Sequence, residues 1–174
     1  DFTTAGLSVA NGSVSGFTRA DARTYAFVVT PGADGLVTVV VLAGAATDAA
    51  GNTSVASNTA SVTFDGTAPT VTAAALTTFV TTPTLTGTVD DPTATVAVTV
   101  GGQTIPATVN GTSWTADVSM PLAEGTYDIA VTATDPLGNA TTTTTTDGLV
   151  VDATAPAVTI SAPSVARTTG GPVT

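Results

Sequence analysis

Hydrophobic and polar residues alternate along most of this chain with a period of two, which is the signature of half-buried β-strands. In 82–89, TPTLTGTV, threonines at 84, 86 and 88 face away from Leu85 and Val89. In 94–100, ATVAVTV, the pattern returns before a Gly101-Gly102 turn. QTIPATV then runs into Asn110-Gly111, a pair that accepts the positive φ of a two-residue hairpin, and SWTADVS follows at 113–119. TYDIAVTAT at 126–134 sets Tyr127, Ile129, Val131 and Ala133 on one face and Asp128, Ala130 and Thr132 on the other. A final strand is expected over about 140–151. Earlier in the chain Tyr25, Phe27 and Val29 alternate with Ala26 and Val28, Asp34-Gly35 turns the chain, and LVTVVV leads to a TDAAGN loop.

Two motifs recur at one spacing. DGTAPTVT at 65–72 returns as DATAPAVT at 152–159, and TDAAGN at 47–52 returns as TDPLGN at 134–139, each a step of 87 residues (65 to 152, 47 to 134). Independent motifs that share a step mark a module repeat. Each D-x-T-A-P follows a strand-like run, and its proline cannot continue a ladder. The pattern predicts a first domain over 1–65, a linker at 66–69, a second domain over 70–152 and the opening strands of a third over 153–174. Six or seven short antiparallel strands per module predict an immunoglobulin-like sandwich. The expected fold is all-β, with tandem immunoglobulin-like antiparallel β-sandwiches in an elongated array. Residues 1–65 carry only the later strands of this plan, while 155–174 look like the opening strands that would precede them. Both ends are therefore expected to fall inside domains.

Composition narrows the function. Aromatics are only 5% of the chain, so Val, Ala, Leu and Ile must fill the core, with Thr on much of the surface. Three arginines stand against thirteen acids, for a net charge of −10, and no basic face is available for nucleic acid. No apolar run approaches the ~20 residues of a membrane span, so no membrane insertion is expected. Cysteine and histidine are absent, which removes thiolate and imidazole chemistry together, and the one glutamate, Glu124, has no evident carboxylate partner for a glycosidase pair. The chain is expected not to be an enzyme.

The stretch DGLVTVVVLAGAATDAAGNTSVASNTASVTFDGTAPTVT resembles one type of bacterial Ig-like domain, and GTSWTADVSMPLAEGTYDIAVTATDPLGN resembles another. Both types are abundant in giant type I-secreted adhesins and biofilm surface proteins. The resemblance implies a bacterial cell-surface or otherwise extracellular location, with neighbouring Ig-like domains of the same protein as the immediate partners. One departure stands out: the strand pair usual between a G-P-V-T opening and a D-F-T segment is not present in order.

The acids carry the candidate chemistry. Loops of such a sandwich alternate between its poles, which gathers Asp90, Asp91, Asp135 and Asn139 at the end of the second domain that Asp65 enters from the linker. Like charges brought together raise one another's pKa, and Ca2+, which takes six to eight oxygen ligands, relieves that conflict. On composition alone D-x-x-G-N reads as a turn. The convergence on Asp65, together with the resemblance, favours an ion. Asp48 and Asn52 are the corresponding pair of the first domain, and Asp152 would serve the junction with a third.

Other features have plainer readings. Thr141–Thr146 reads as a threonine-rich edge strand, Trp114 as core in company with Ala116 and Val118, and Tyr127 as the tyrosine that pins a sandwich corner. The function expected is a structural spacer of a surface adhesin or filament, stiffened by calcium between domains. The alternatives are a carbohydrate- or receptor-binding module, for which Trp114 is the candidate platform, and a subunit that copies of itself complete by head-to-tail strand exchange.

Overall fold

The computed structural model describes residues 2–161, and among these it consists of strands, loops and one 3-10 turn at Thr4–Gly6. β1 (Leu7–Ala10), β2 (Gly12–Arg19), β3 (Tyr25–Pro31), β4 (Gly35–Val41) and β5 (Ala60–Phe64) pair only among themselves, in sheets ordered β1-β4-β5 and β2-β3. β6 (Val71–Ala73), β7 (Leu76–Thr78), β8 (Thr84–Val89), β9 (Thr95–Val100), β10 (Gln103–Pro106), β11 (Thr108–Asn110), β12 (Ser113–Asp117), β13 (Gly125–Thr134) and β14 (Ala140–Val151) build the second unit. They form a five-stranded sheet, β10-β9-β13-β14-β7, and a four-stranded sheet, β11-β12-β8-β6. Every ladder is antiparallel except that of β7 with β14.

In the second unit the alternation read from sequence becomes a core. Leu85 and Val89, Trp114 and Ala116, Ile129, Val131 and Ala133, and Leu149 and Val151 all face inward and are buried. Trp114 is 1% exposed, and its Nε1 donates to the Thr72 carbonyl at 3.0 Å. The ring lies so close over Gly87 that a Cβ there would sit 2.4 Å from it and 2.0 Å from the Thr72 oxygen, a place only glycine can fill. The Tyr127 hydroxyl donates to the Ala123 carbonyl at 2.8 Å, the corner expected of it. The tight turn between β11 and β12 is Gly111-Thr112, one residue later than the Asn110-Gly111 pair expected, because Asn110 pairs with Ser113 in the ladder and Gly111 takes the positive φ, at 60°.

Two details differ from a plain reading of the alternation, and a third accords with the threonine-rich edge expected. QTIPATV is two strands: β10 belongs to the five-stranded sheet and β11 to the four-stranded one, and the chain crosses between sheets at Ala107. Nine strands form where six or seven were expected, because the crossing divides one run and the opening stretch divides into β6 and β7. β14 pairs with β13 along Thr141–Thr145, but β7 reaches only Leu149–Val151, so the threonine run is an open edge on its other side.

The first unit is thinner. Val37 is its one buried hydrophobic residue among those described. Tyr25, Phe27 and Val29 of β3 are half-buried, and every residue of β5 is exposed. Phe2, Phe17, Tyr25 and Phe27 pack on one another at centroid distances of 5.2–6.5 Å, an aromatic cluster in place of a two-sheet core. After β14, residues 152–161 form no strand, and Val158 and Ile160 are 88% and 96% exposed. The remainder of the expected third-domain opening, 162–174, lies outside the described residues.

Candidate functional site at the linker

The chain leaves β5 at Asp65 and enters β6 at Val71, and it meets two loops of the second unit on the way. One, after β8, carries Asp90 and Asp91; the other, between β13 and β14, carries Asp135 and Asn139. Together with Asp65, Thr67 and Pro69 the three aspartates of these loops line a cleft of about 340 Å³. Asn139 Nδ2 donates to the Asp65 carbonyl at 3.0 Å across the two units. Five of the residues singled out from sequence are thus gathered at one pole. Asp48 and Asn52 lie in a loop of the first unit, and Asp152 follows β14.

Each carboxylate is already engaged. Asp90 ties the linker to its loop from both sides: its Oδ1 accepts from Thr70 N at 2.8 Å, and its own N donates to Thr70 O at 3.1 Å. Asp91 Oδ1 accepts from Thr93 N and Thr93 Oγ1 at 2.8 and 2.7 Å. Asp135 is buried, its Oδ1 accepting from Leu137 N and Asn139 N at 2.9 and 2.8 Å, and its Oδ2 from Asn139 Nδ2 at 2.7 Å. The first unit repeats this loop bond for bond. Asp48 Oδ1 accepts from Ala50 N and Asn52 N at 2.9 Å each, and its Oδ2 from Asn52 Nδ2 at 2.9 Å.

These donors govern the protonation of the site. The Asn52 side chain and backbone hold Asp48 below its ordinary value, and the Thr70 N–H does the same for Asp90. Burial pushes Asp135 up, but the Asn139 amide and the Asn139, Leu137 and Gly138 N–H groups outweigh it and leave the pKa lowered. The expectation that converging carboxylates raise one another's pKa is therefore corrected. No neighbouring acid contributes to either shift, because hydrogen bonds to the charged form dominate.

A second device escaped the sequence reading. After β5, Asp65 Oδ1 accepts from Thr67 N at 3.1 Å, and the Thr67 hydroxyl donates to Asp34 Oδ2, while Gly66 N donates to Asp34 Oδ1 at 2.7 Å. After β14 the same turn recurs. Asp152 Oδ1 accepts from Thr154 N at 3.2 Å, and the Thr154 hydroxyl donates to Glu124 Oε2 at 2.6 Å. Asp34 and Glu124 each precede the glycine that opens the central strand of a sheet, Gly35 of β4 and Gly125 of β13. The threonine of D-x-T-A-P thus clasps the departing chain to the unit it leaves. Asp34 is held below its ordinary pKa, by the Thr67 hydroxyl first and the Gly66 N–H second.

The donor set is oxygen chemistry of the kind calcium takes, but its present arrangement is not a coordination shell. Calcium needs six to eight oxygens within ~2.6 Å of one point. Among the described residues no group of three or more His, Cys, Asp or Glu side chains is placed to hold a metal ion. Asn139 also presents its NH2, not its carbonyl, to Asp135 and Asp65. The aromatic alternative changes as well: Trp114 is buried, so it offers no face for stacking a sugar.

Two family models, each described as a bacterial Ig-like domain, match residues 1–65 and 71–153. A comparison with curated proteins finds no match. Among solved structures, the titin domains z1z2 in complex with telethonin align at 16% identity and TM-score 0.37, over 87% of this chain and 76% of that one. The Bacteroides ovatus protein SGBP-B of a mixed-linkage glucan utilization locus, solved with a mixed-linkage heptasaccharide, aligns at 20% identity and TM-score 0.31. That alignment covers 84% of this chain and 37% of the other. Neither likeness is close enough to bear on function.

Proposed function

From the premise that the chain carries two bacterial Ig-like domains in tandem, we propose that it is a length of stalk in an extracellular surface adhesin or filament, a non-enzymatic spacer that holds a distal binding element away from the cell. The observation that carries this reading is the hydrogen-bonded linker. Asp34 clasps the chain as it leaves the first domain, while Asp90 and Asn139 receive it at the second. A joint of so few residues, anchored on both sides, transmits orientation from one module to the next. A free hinge of Gly and Ser would not.

Calcium enters the same proposal as a stiffener of this joint. When bound it would supply a divalent charge for Asp65, Asp90, Asp91 and Asp135 to share. These carboxylates surround a cleft, so binding requires the linker and both loops to draw in, and Asn139 to turn its carbonyl inward. The closure is what would restrict the joint. Extracellular calcium modules bind with Kd ~10⁻⁴–10⁻³ M, and a concentration ten times Kd favours the closed state by about 1.4 kcal/mol.

The test is X-ray scattering of the chain in millimolar calcium and in chelator. Calcium is expected to narrow the spread of interdomain distances, with Asp135→Ala and Asp65→Ala abolishing the response and Asp21→Ala, in the turn between β2 and β3, preserving it. Identical profiles from a stiff chain would remove calcium and leave the spacer. A chain that flexes freely in both conditions would remove the spacer as well.

A further inference from the structure

Two peptide bonds in this chain join asparagine to glycine, Asn11-Gly12 and Asn110-Gly111, and the fold treats them differently. Asn11 lies between β1 and β2 with its side chain clamped: Nδ2 donates to the Ala33 carbonyl at 2.8 Å, and Oδ1 accepts from Ala33 N at 3.1 Å. Its backbone carbonyl accepts from Gly32 N at 3.1 Å, and Gly12 is paired with Pro31 in the β2-β3 ladder. A Cβ at Gly12 would come 2.9 Å from the Thr30 oxygen, so the backbone there is packed in. Asn110, by contrast, is exposed, and its side chain makes no hydrogen bond among the described residues. Around Gly111, whose φ is 60°, a Cβ would meet nothing within 4 Å.

The place of Asn110 in its sheet adds to this. It forms the last pair of the β11-β12 ladder, with Ser113, and β11 is a three-residue strand at the edge of the four-stranded sheet. A ladder end on an edge opens at little cost, and the glycine that follows hinders neither the rotation nor the approach to its nitrogen. The other asparagines lack one or more of these conditions. Asn52 and Asn139 have their amides on Asp48 and Asp135. Asn52, Asn58 and Asn139 are also followed by Thr53, Thr59 and Ala140, each with a Cβ beside the nitrogen that would have to move. We propose that Asn110 is a site of spontaneous modification, where the Asn110-Gly111 bond rearranges through a succinimide to aspartate and isoaspartate, and that the fold withholds the same reaction from Asn11.

The reaction needs no co-reactant but water and no change of oxidation state. Gly111 N attacks Asn110 Cγ, the new N–Cγ bond closes a five-membered ring, and the Cγ–Nδ2 bond breaks. Nδ2 leaves as ammonia, taking with it the proton that Gly111 N gives up. Water then opens the ring at one of its two carbonyls. Opening at Cγ leaves aspartate in the normal chain; opening at the backbone carbonyl leaves isoaspartate, with the chain running through Cγ and one carbon longer. Either product adds a negative charge to a chain whose net charge is already −10. The charge appears toward the linker pole, since the Thr112 carbonyl of the turn accepts from Val89 N at 3.0 Å, and the next residue, Asp90, holds Thr70. The longer backbone falls beside Val109, which packs against the core and pairs with Trp114.

The test is peptide mapping by mass spectrometry of the full chain, held folded in warm, mildly alkaline buffer, with isoaspartate read by enzymatic methylation. A gain of one mass unit is expected at Asn110 at least tenfold faster than at Asn11, with isoaspartate among the products and a rate that rises with pH. In urea the two sites should convert at similar rates, which would place the difference in the fold. Asn110→Gln, whose ring would have six members, should leave the turn unmodified over the same period. Conversion should also shift the amide resonances of Val89 and Thr112. Conversion of Asn11 as fast as Asn110 in the folded chain overturns the proposal, and so does an Asn110 that stays intact when folded and converts only in urea. Gain of the mass unit without isoaspartate would overturn the succinimide route.

Discussion

In residues 71–151 each sheet is covered by the other, and the strands before and after β13 in the chain, β12 and β14, have neighbours on both sides; in residues 7–64 the corresponding strands β3 and β5 have one neighbour each. The same local sequence signals operate in both: alternation, an acid-Gly turn before β4 and β13, and a D-x-x-G-N loop after each. The outcome differs because burial is a property of the assembled sheets. Leu149 of β14 is fully buried, while Val62, its counterpart 87 positions earlier in β5, is 62% exposed, and β14 has β7 beside it where β5 has β4 alone among the described residues. Strand propensity draws the elements, but only a complete pair of sheets makes them a core.

The largest expected effect that would break this comparison is at the aromatic centres. Trp114→Ala removes a fully buried ring and is expected to destabilise the second domain by about 3–5 kcal/mol. Phe27→Ala, from the half-buried cluster of the first, should cost less than half as much. Urea unfolding followed by far-UV circular dichroism reads both, and equal losses would show that the first domain holds a core of its own. Next in size is Gly87→Ala, whose Cβ has no room between the Thr72 carbonyl and Trp114. About 1–3 kcal/mol is expected from overpacking, whereas Gly44→Ala in the first domain meets nothing within 4 Å and is limited to the strain of its φ of 77°.

The smallest effect separates the two D-x-x-G-N loops by pH. Asp48 and Asp135 both titrate below 3.8 in the folded chain, so their loop bonds contribute fully above that value. The contribution is lost as pH falls from there through the lowered folded pKa. Amide NMR shifts of Gly51 and Gly138 should stay constant from pH 7 to 5 and move below 3.8. Asp48→Asn should disturb only its own loop, while Asp135→Asn should also shift Asp65, through Asn139. A disturbance confined to the loop in both variants would mean that the joint does not depend on Asp135.

Local and repeated signals were legible in the sequence. Period-two alternation located the strands, Asn110-Gly111 the hairpin, Trp114 and Ile129 the core, and Tyr127 the corner. The alternation of sandwich loops between poles gathered Asp65, Asp90, Asp91, Asp135 and Asn139 at one end before any coordinates did. What it left open was which atoms face the cleft. Asn139 bonds through its NH2, and backbone N–H groups saturate Asp135, because a tight loop satisfies its own donors first. The clasp of Thr67 on Asp34 and of Thr154 on Glu124 went unseen for another reason. Its partners are 33 and 30 residues apart, so the two copies fall out of register with the step of 87. The acid-glycine pair before β4 and before β13 was the signal that could have revealed it.

The one parallel ladder, β7 with β14, has a mechanical meaning. Tension along the chain pulls the second domain backwards through the linker that leads into β6 and β7, and forwards through Val151. Because β7 and β14 run in the same direction, those pulls slide one strand against the other. The hydrogen bonds joining Leu76–Thr78 to Leu149–Val151 then lie across the force and are loaded together, not opened one by one. Even this three-residue ladder makes the domain a shear joint, and its resistance to stretching is set where β7 meets β14, far from the cleft at the linker.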